Sequence, residues 1–306
     1  MIDQARTPWF TEFAERLGTS VDLASSVIAE VKLDDAQFKR LRASCLRYIH
    51  TCLDQHGTSA DQSTLLKMAA AKLANRTPNG ILLPKQEVEA EFNNLHRDVA
   101  EWLSSLGVDD LVDQAFCPIT LRLVKGLPDP AEDSRPYASV KLHADVWAGE
   151  PTDSVNIHIP ILGDLERTGV HFFVPPDNFE KDWLRPLKSY NEGIELEALV
   201  QKIPIQLRFG YAYFADATAL HKTIKSNGGE RLILEFRFRR KGDKPNPEAV
   251  IDTDRGSNYI NLYEWYQLGT TKYMHFEDTY ADAKRQVFRN NPYSKTLYSV
   301  VNNLRP

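Results

Sequence analysis

Cysteine is scarce in this chain: Cys45, Cys52 and Cys117 are the only three in 306 residues. Three thiols cannot all pair, and their spacing fits no metal-binding pattern. A disulfide framework is therefore excluded, and free thiols in a reducing cytoplasm are expected. Long apolar runs are missing as well. No stretch approaches the roughly 18 uninterrupted apolar residues that a membrane-spanning helix needs. Met1-Ile2-Asp3-Gln4 lacks a basic region followed by an apolar one, so no secretory signal is expected. Excess positive charge is absent too: 37 Lys and Arg against 42 Asp and Glu leave a net charge of −5. That balance argues against a general nucleic-acid binder. The local basic run Arg237, Arg239, Arg240 and Lys241 reads as the end of a strand. No internal repeat and no low-complexity tract is visible.

What remains is the composition of a globular protein with a sizeable core, 42% hydrophobic and 26% charged. Residues 8 to 115 read as helical. Trp9, Phe10, Phe13, Ala14 and Leu17 make one stripe, closed by Gly18. Asp34 or Asp35 caps a long helix carrying Phe38, Leu41, Cys45, Leu46 and Ile49, which is expected to end near His56-Gly57. Thr64 to Asn75 is alanine-rich and helical, and Pro78-Asn79-Gly80 then turns the chain. Val88, Phe92, Leu95, Val99, Trp102 and Leu106 recur at helical spacing up to Gly107. No chemistry shows in this segment, which is expected to buttress the outer face of a sheet.

Strands are expected from Cys117-Pro118 onward. Ile119 to Val124 alternates, with Thr120 and Arg122 on its polar face. In Ser139 to Trp147 the alternation puts Ser139, Lys141, His143, Asp145 and Trp147 on one face and Val140, Leu142, Ala144 and Val146 on the other. Ser154 to Pro160 places Asn156 and His158 on the polar side, and Gly169 to Val174 is a further short strand. Residues 177–204 leave the strand pattern and read either as a lid or as a packed surface excursion. Arg231 opens another alternating run, with Leu232, Leu234, Phe236 and Phe238 on the opposite face. Gly242 to Pro247 reads as a linker. Tyr259 to Tyr266 is aromatic-rich, and a helix is expected from Glu277 to Phe288.

An imidazole and a carboxylate two residues apart on one strand face, as in His143-x-Asp145, suit a shared metal ion. A second imidazole, His221, completes a two-His, one-carboxylate set that leaves the opposite coordination positions open. The order His143-x-Asp145, then His221-x-Thr223-x3-Asn227-x3-Arg231, resembles the Fe(II)/2-oxoglutarate-dependent oxygenases, and most closely their phytanoyl-CoA-dioxygenase-like branch. The resemblance covers roughly residues 116 to 240. It implies an all-β core with helical additions, a double-stranded β-helix or jelly roll, with residues 1–115 as a helical buttress. The catalytic core would then be 116–240 with a lid-like insertion at 177–204, and 241–306 an aromatic-rich extension, all in one globular unit.

The same resemblance implies Fe(II) held by His143, Asp145 and His221, with 2-oxoglutarate as cosubstrate and dioxygen as co-reactant. Arg231 would take the distal carboxylate, with Thr223 and Asn156 beside the cosubstrate. Asp145 argues against a halogenase, which needs that ligand position vacant. Lys141, Trp147, His158 and Arg208 are candidates for the substrate wall, although Trp147 reads equally well as packing and His158 as a structural histidine. Buried cations need acids such as Glu235, solvent, or an anionic ligand. The polar list Lys141, Asn156, His158, Gln206 and Arg208 points to a small polar substrate rather than a lipid or a nucleic acid. Two alternatives stand beside this: an iron-dependent jelly-roll oxygenase without 2-oxoglutarate, and a non-catalytic binding module. A cytoplasmic location, no membrane partner and a homodimer through the C-terminal extension complete the expectations.

Overall fold

The computed structural model describes residues 6–24, 26–53, 61–176, 183–242, 258–277, 279 and 298–302. The expected helix end at His56-Gly57, the linker from 243 onward and the helix at 277–288 lie outside the described residues, apart from Glu277 and Thr279. Helices α1 (Arg6–Arg16), α2 (Val21–Ala24), α3 (Asp35–Cys52), α4 (Gln62–Lys72), α5 (Glu89–Ser105), α6 (Leu165–Thr168) and α7 (Leu262–Gln267) accompany thirteen strands. The strands are β1 (Ile28–Lys32), β2 (Ile81–Leu82), β3 (Val112–Phe116), β4 (Thr120–Lys125), β5 (Ser154–Gly163), β6 (Val170–Val174) and β7 (Gln201–Lys202). They continue as β8 (Tyr211–Asp216), β9 (Leu220–Thr223), β10 (Glu230–Arg240), β11 (Tyr259–Asn261), β12 (Lys272–Phe276) and β13 (Tyr298–Asn302).

The larger sheet runs β1-β8-β5-β10-β3-β11, with β4 also on β10 and β2 on β4. A second sheet runs β7-β6-β9, and β12 pairs with β13. The paired strands are antiparallel throughout. Strand β10 organises the larger sheet because its two faces differ. Leu232, Leu234, Phe236 and Phe238 join the apolar core, whereas Arg231, Glu235 and Arg237 face the other way. Register carries the same division to β5, where Asn156 lies opposite Arg237 and His158 opposite Glu235.

The apolar face is covered by the N-terminal helices. Trp9 and Phe13 of α1 meet Phe238 and Phe214, and Trp102 of α5 sits against Phe214 and Phe236. Helix α3 starts where Asp34 accepts hydrogen bonds from the Ala36 and Gln37 amides, as its sequence suggests. A buried ion cluster pins α1 down: Arg6 and Arg240 both reach Asp216 at the end of β8. Asp216 in turn accepts hydrogen bonds from the amide and hydroxyl of Thr218, which shapes the turn into β9.

Two readings of the sequence are corrected here. The segment 8–115 is not wholly helical, since β1 lies inside it and pairs with β8, and β3 begins five residues ahead of the expected strand start at Cys117. Nor is Ser139–Trp147 a strand. It meets the second sheet at Ser139, whose carbonyl accepts from the Thr223 amide at 2.7 Å, and at His143, which exchanges backbone hydrogen bonds with His221, and then tightens into a 3₁₀ turn at Asp145–Ala148. The turn is stopped by Gly149, whose φ of 91° lies in the left-handed region. Leu142, Ala144, Val146 and Trp147 all fill a small second core with Leu187, Tyr190 and Leu196. The apolar alternation reflects that core and not a pleated sheet.

Candidate metal centre

Three donors converge between the two sheets. His221 comes from β9, His143 from the bridge beside it, and Asp145 from the first residue of the 3₁₀ turn. One ligand atom from each can be chosen so that all lie within 4.8 Å of one another, and all three residues are buried. The two imidazole centroids are 4.2 Å apart. Each imidazole is fixed by the backbone two residues upstream. Nδ1 of His143 lies 2.8 Å from the Lys141 carbonyl, and Nδ1 of His221 lies 2.9 Å from the Ala219 carbonyl. A carbonyl only accepts, so both Nδ1 atoms carry the proton and both Nε2 atoms keep a bare lone pair. That is the tautomer a metal ion requires.

Electrostatics hold the set in its ligating state. Burial, reinforced by His221, pushes His143 down to about 3, so it is neutral at ordinary pH. Burial lowers His221 in the same direction. Burial alone would raise Asp145, but the Arg237 guanidinium and the three nearby imidazoles outweigh it and hold the carboxyl well below the usual range. Asp145 Oδ2 accepts from Asn156 Nδ2 at 2.9 Å and lies 3.3 Å from Arg237 Nη2. Arg237 continues to Glu150, 3.8 Å away, and Glu150 accepts from the Tyr259 hydroxyl at 3.0 Å. The carboxylate ligand is thus anchored through a buried polar chain that ends in β11.

Along the same face, Glu235 pairs with Arg122 at 2.7 Å and stands 3.4 Å from His158 Nδ1. Arg231 is 1% exposed, and its Nε and Nη1 atoms have no hydrogen-bond partner among the described residues. Burial pushes this guanidinium down to about 10. Its position depends on Gly163, where β5 passes with a φ of 114°. A Cβ there would lie 2.2 Å from the Glu230 carbonyl and 2.7 Å from Arg231 Cα, so only glycine lets the two strands close at this point.

Of the residues singled out from the sequence, His143, Asp145, His221, Asn156, His158 and Thr223 border one cavity of about 30 Å³. Arg231 is not part of its lining, although Glu235 and Arg237 on the same face of β10 are, and three further residues do not border it. Arg208 is turned outward, pairing with Glu30 and lying over the Tyr211 ring, because no strand precedes Gly210 to give it the expected parity. Lys141 sends Nζ to the Arg135 carbonyl at 2.8 Å. Trp147 is packing: it is fully buried, and its Nε1 donates to the Trp183 carbonyl at 2.8 Å. Both departures follow from the missing strand at 139–147. Gln206 borders a separate outer pocket, as does His171.

The sequence reading missed the residues that close the cavity. Tyr190, from the described part of the insertion, stacks on His143 at 4.3 Å with planes 18° apart, and Tyr137 packs edge-on against Tyr190. Asn79 and Ser139 complete the rim. Arg237 carried a usable signal, since it shares strand parity with Arg231, but the basic run around it masked this.

The sequence matches no family model and no curated protein. Among solved structures, the chain is similar to the non-heme alpha-ketoglutarate-dependent carbocyclase SnoK from nogalamycin biosynthesis. Identity is 9%, covering 78% of this chain and 84% of that one, with a TM-score of 0.46. It is also similar to AviO1 from Streptomyces viridochromogenes Tue57, at 18% identity over 81% and 99% of the two chains, TM-score 0.43. A third likeness is to the epimerase SnoN in complex with Fe3+, alpha ketoglutarate and nogalamycin RO, at 14% identity over 78% and 84%, TM-score 0.35. No helix among the described residues is long and apolar enough to cross a membrane.

Proposed function

We propose that the protein is an Fe(II)- and 2-oxoglutarate-dependent oxygenase with a double-stranded β-helix core, acting on a small polar molecule. The observation that carries this is a set of three buried donors together with the buried cation Arg231, which shares a face of β10 with the cavity-lining Glu235 and Arg237 and whose Nε and Nη1 atoms have no hydrogen-bond partner among the described residues. Two His and one carboxylate with bare Nε2 atoms fit a divalent iron ion and leave its far side open. A buried guanidinium without an acid is costly unless an anion repays it, and its planar fork suits a carboxylate held by two parallel hydrogen bonds. Iron held there would let dioxygen act as the oxidant, with 2-oxoglutarate as the two-electron donor that is oxidised to succinate and carbon dioxide.

The chain's own residues have separate tasks. His143, Asp145 and His221 hold the ion, and Arg231 takes the distal carboxylate, with the Thr223 hydroxyl beside it. Asn156 donates to Asp145, so its first task is to orient that ligand. The rim is polar, with Asn79, Tyr137, Ser139 and His158 and only Val170 as an apolar member. An acyl-chain pocket would show the opposite balance. The cavity of about 30 Å³ holds a water or two, so the segment bearing Tyr190 opens to admit a substrate. Iron-dependent succinate formation, screened across panels of polar metabolites and of fatty acyl compounds, tests the reading. Succinate formation that persists in His221→Ala would sink it, and coupling to the acyl panel alone would overturn the substrate class.

A further inference from the structure

A pocket of about 460 Å³ opens at one end of the β7-β6-β9 sheet, roomy enough for a metabolite where the metal cavity is not. Its walls come from α6, the first residues of β6, Lys202 of β7 and the segment 204–207. The gap exists because β7 is short. It pairs with β6 at Phe173 and Val174, and the Ile203 amide adds one more bond, to the Phe172 carbonyl at 2.9 Å. Pro204 then offers no N–H, and the Ile205 amide turns back to the Ile203 carbonyl at 2.8 Å. Strand β6 is left with a free edge on this side at Val170.

That edge presents a defined pair of groups. Successive residues of an antiparallel strand direct their main-chain groups to opposite sides. The Gly169 carbonyl faces β9, where it accepts from the Ile224 amide at 2.8 Å. Val170 therefore directs its N–H and C=O the other way, the side on which Phe172 meets Ile203. Neither group has a hydrogen-bond partner among the described residues, and Val170 is buried. Buried main-chain groups left unpaired are costly. Two charged side chains of opposite sign line the same pocket. Lys202 Nζ donates to His171 Nε2 at 2.8 Å, so the imidazole is neutral and the ammonium keeps its full charge. Glu166 of α6 stands on the same rim, and no ion pair joins it to Lys202.

We propose that this outer pocket binds a short, extended peptide-like molecule, an amino-acid unit with an amide on each side, laid along the free edge of β6. Such a unit carries an N–H and a C=O on one side and returns both bonds that Val170 lacks, as an added strand would. Lys202 suits a carboxylate and Glu166 an ammonium, while Ile205, Leu207 and Ile224 offer apolar contact. Val170 also borders the metal cavity, so one residue separates the two spaces. The inference stands on the pocket's own groups and not on the oxygenase reading.

The test needs neither iron nor 2-oxoglutarate. Triglycine, whose central residue has an amide on each side, is titrated into the full chain at pH 7 and followed by amide-resolved NMR. Glucose serves as the comparison probe. Saturable binding of triglycine is expected, with the Val170 amide proton moving downfield as it gains an acceptor. Lys202→Gln and Glu166→Gln should each weaken binding about two- to fivefold, the range of an exposed ion pair. Gln206→Trp, at an exposed position on the rim, should fill the pocket and abolish binding. Melting curves verify that each variant folds, and if the tryptophan variant does not, the two glutamine variants carry the test. Absence of saturable triglycine binding, a Val170 resonance that does not move, or equal binding by the wild type and both glutamine variants overturns the proposal. So does binding of glucose alone. None of these results bears on succinate formation, so the two readings fail independently.

Discussion

Arg237 Nη2 lies 3.3 Å from Asp145 Oδ2, on the oxygen that also accepts from Asn156. The guanidinium comes from β10 and the carboxylate from a 3₁₀ turn 92 residues earlier, so the larger sheet holds a candidate ligand that no strand carries. Outer partners of this kind typically contribute about 10- to 100-fold to metal affinity. Arg237→Met should therefore weaken Fe(II) or Mn(II) binding by roughly that factor while the chain stays folded. Metal titration followed by equilibrium dialysis measures it. An unchanged affinity would mean that Asn156 alone holds Asp145.

The low proton affinity of the histidines sets the pH behaviour. His143 sits at about 3 in the folded chain against about 6.5 when unfolded. Protons therefore compete with a metal only at strongly acid pH. Affinity for Mn(II) should therefore fall less between pH 7.5 and 5.5 than with two ordinary histidines, which would each lose up to about tenfold per unit below 6.5. The same shift makes the metal-free protein less stable as pH falls below about 6.5, because the unfolded chain takes up protons that the folded one refuses. Calorimetric metal titrations at the two pH values decide the first point, and urea melts the second.

The sequence carried much of this candidate site because metal donors come from few residue types, His, Asp, Glu and Cys, and leave a spaced pattern. His143, Asp145 and His221 were legible for that reason, and so was β10, whose two faces differ in polarity along its length. Other features were not. Leu142 to Trp147 alternates because its residues fill a small core under the insertion, and no local signal separates that from a pleated strand. Arg208 and Lys141 were misplaced by the same parity argument.

Arg231 supplies the cleanest test of cosubstrate binding. A charge-assisted hydrogen bond contributes about 1.5–3 kcal/mol, so Arg231→Leu should weaken 2-oxoglutarate binding by roughly 10- to 150-fold. Leucine also relieves the burial of an unpaired cation, so the melting temperature without cosubstrate should not fall. Binding measured with Mn(II) in place of iron separates affinity from turnover. An unaltered affinity would move the carboxylate to another cation, with Arg122 nearest along the face.

Asp216 links the N-terminal helix to the metal site. Its carboxylate meets Arg6 and Arg240 and caps the turn at Thr218 three residues before His221. Asp216→Ala would leave two buried guanidinium groups without their acid, a loss of about 3–5 kcal/mol. Chemical denaturation should show that decrease, together with weaker metal binding as β9 loses its entry turn. A loss of stability below 1 kcal/mol would show that solvent or the Thr152 carbonyl takes over both guanidinium groups.

Lys225 should behave in the opposite sense. Its folded value of about 8 lies below the unfolded 10.5, so between those limits the unfolded chain holds the proton more firmly. Stability contributed at this position therefore rises with pH through the window from 8 to 10.5, and below 8 the whole cost of burying the charge is present. Lys225→Met keeps the stem and removes the charge. At pH 7 in an oxyanion-free buffer it should be more stable than the wild type by up to about 3 kcal/mol, each pKa unit being about 1.36 kcal/mol. The advantage should shrink toward zero by pH 10.5. Paired urea melts at pH 7 and pH 10 read the difference directly. A methionine variant less stable than the wild type at pH 7 would show that the ammonium is already satisfied within the fold.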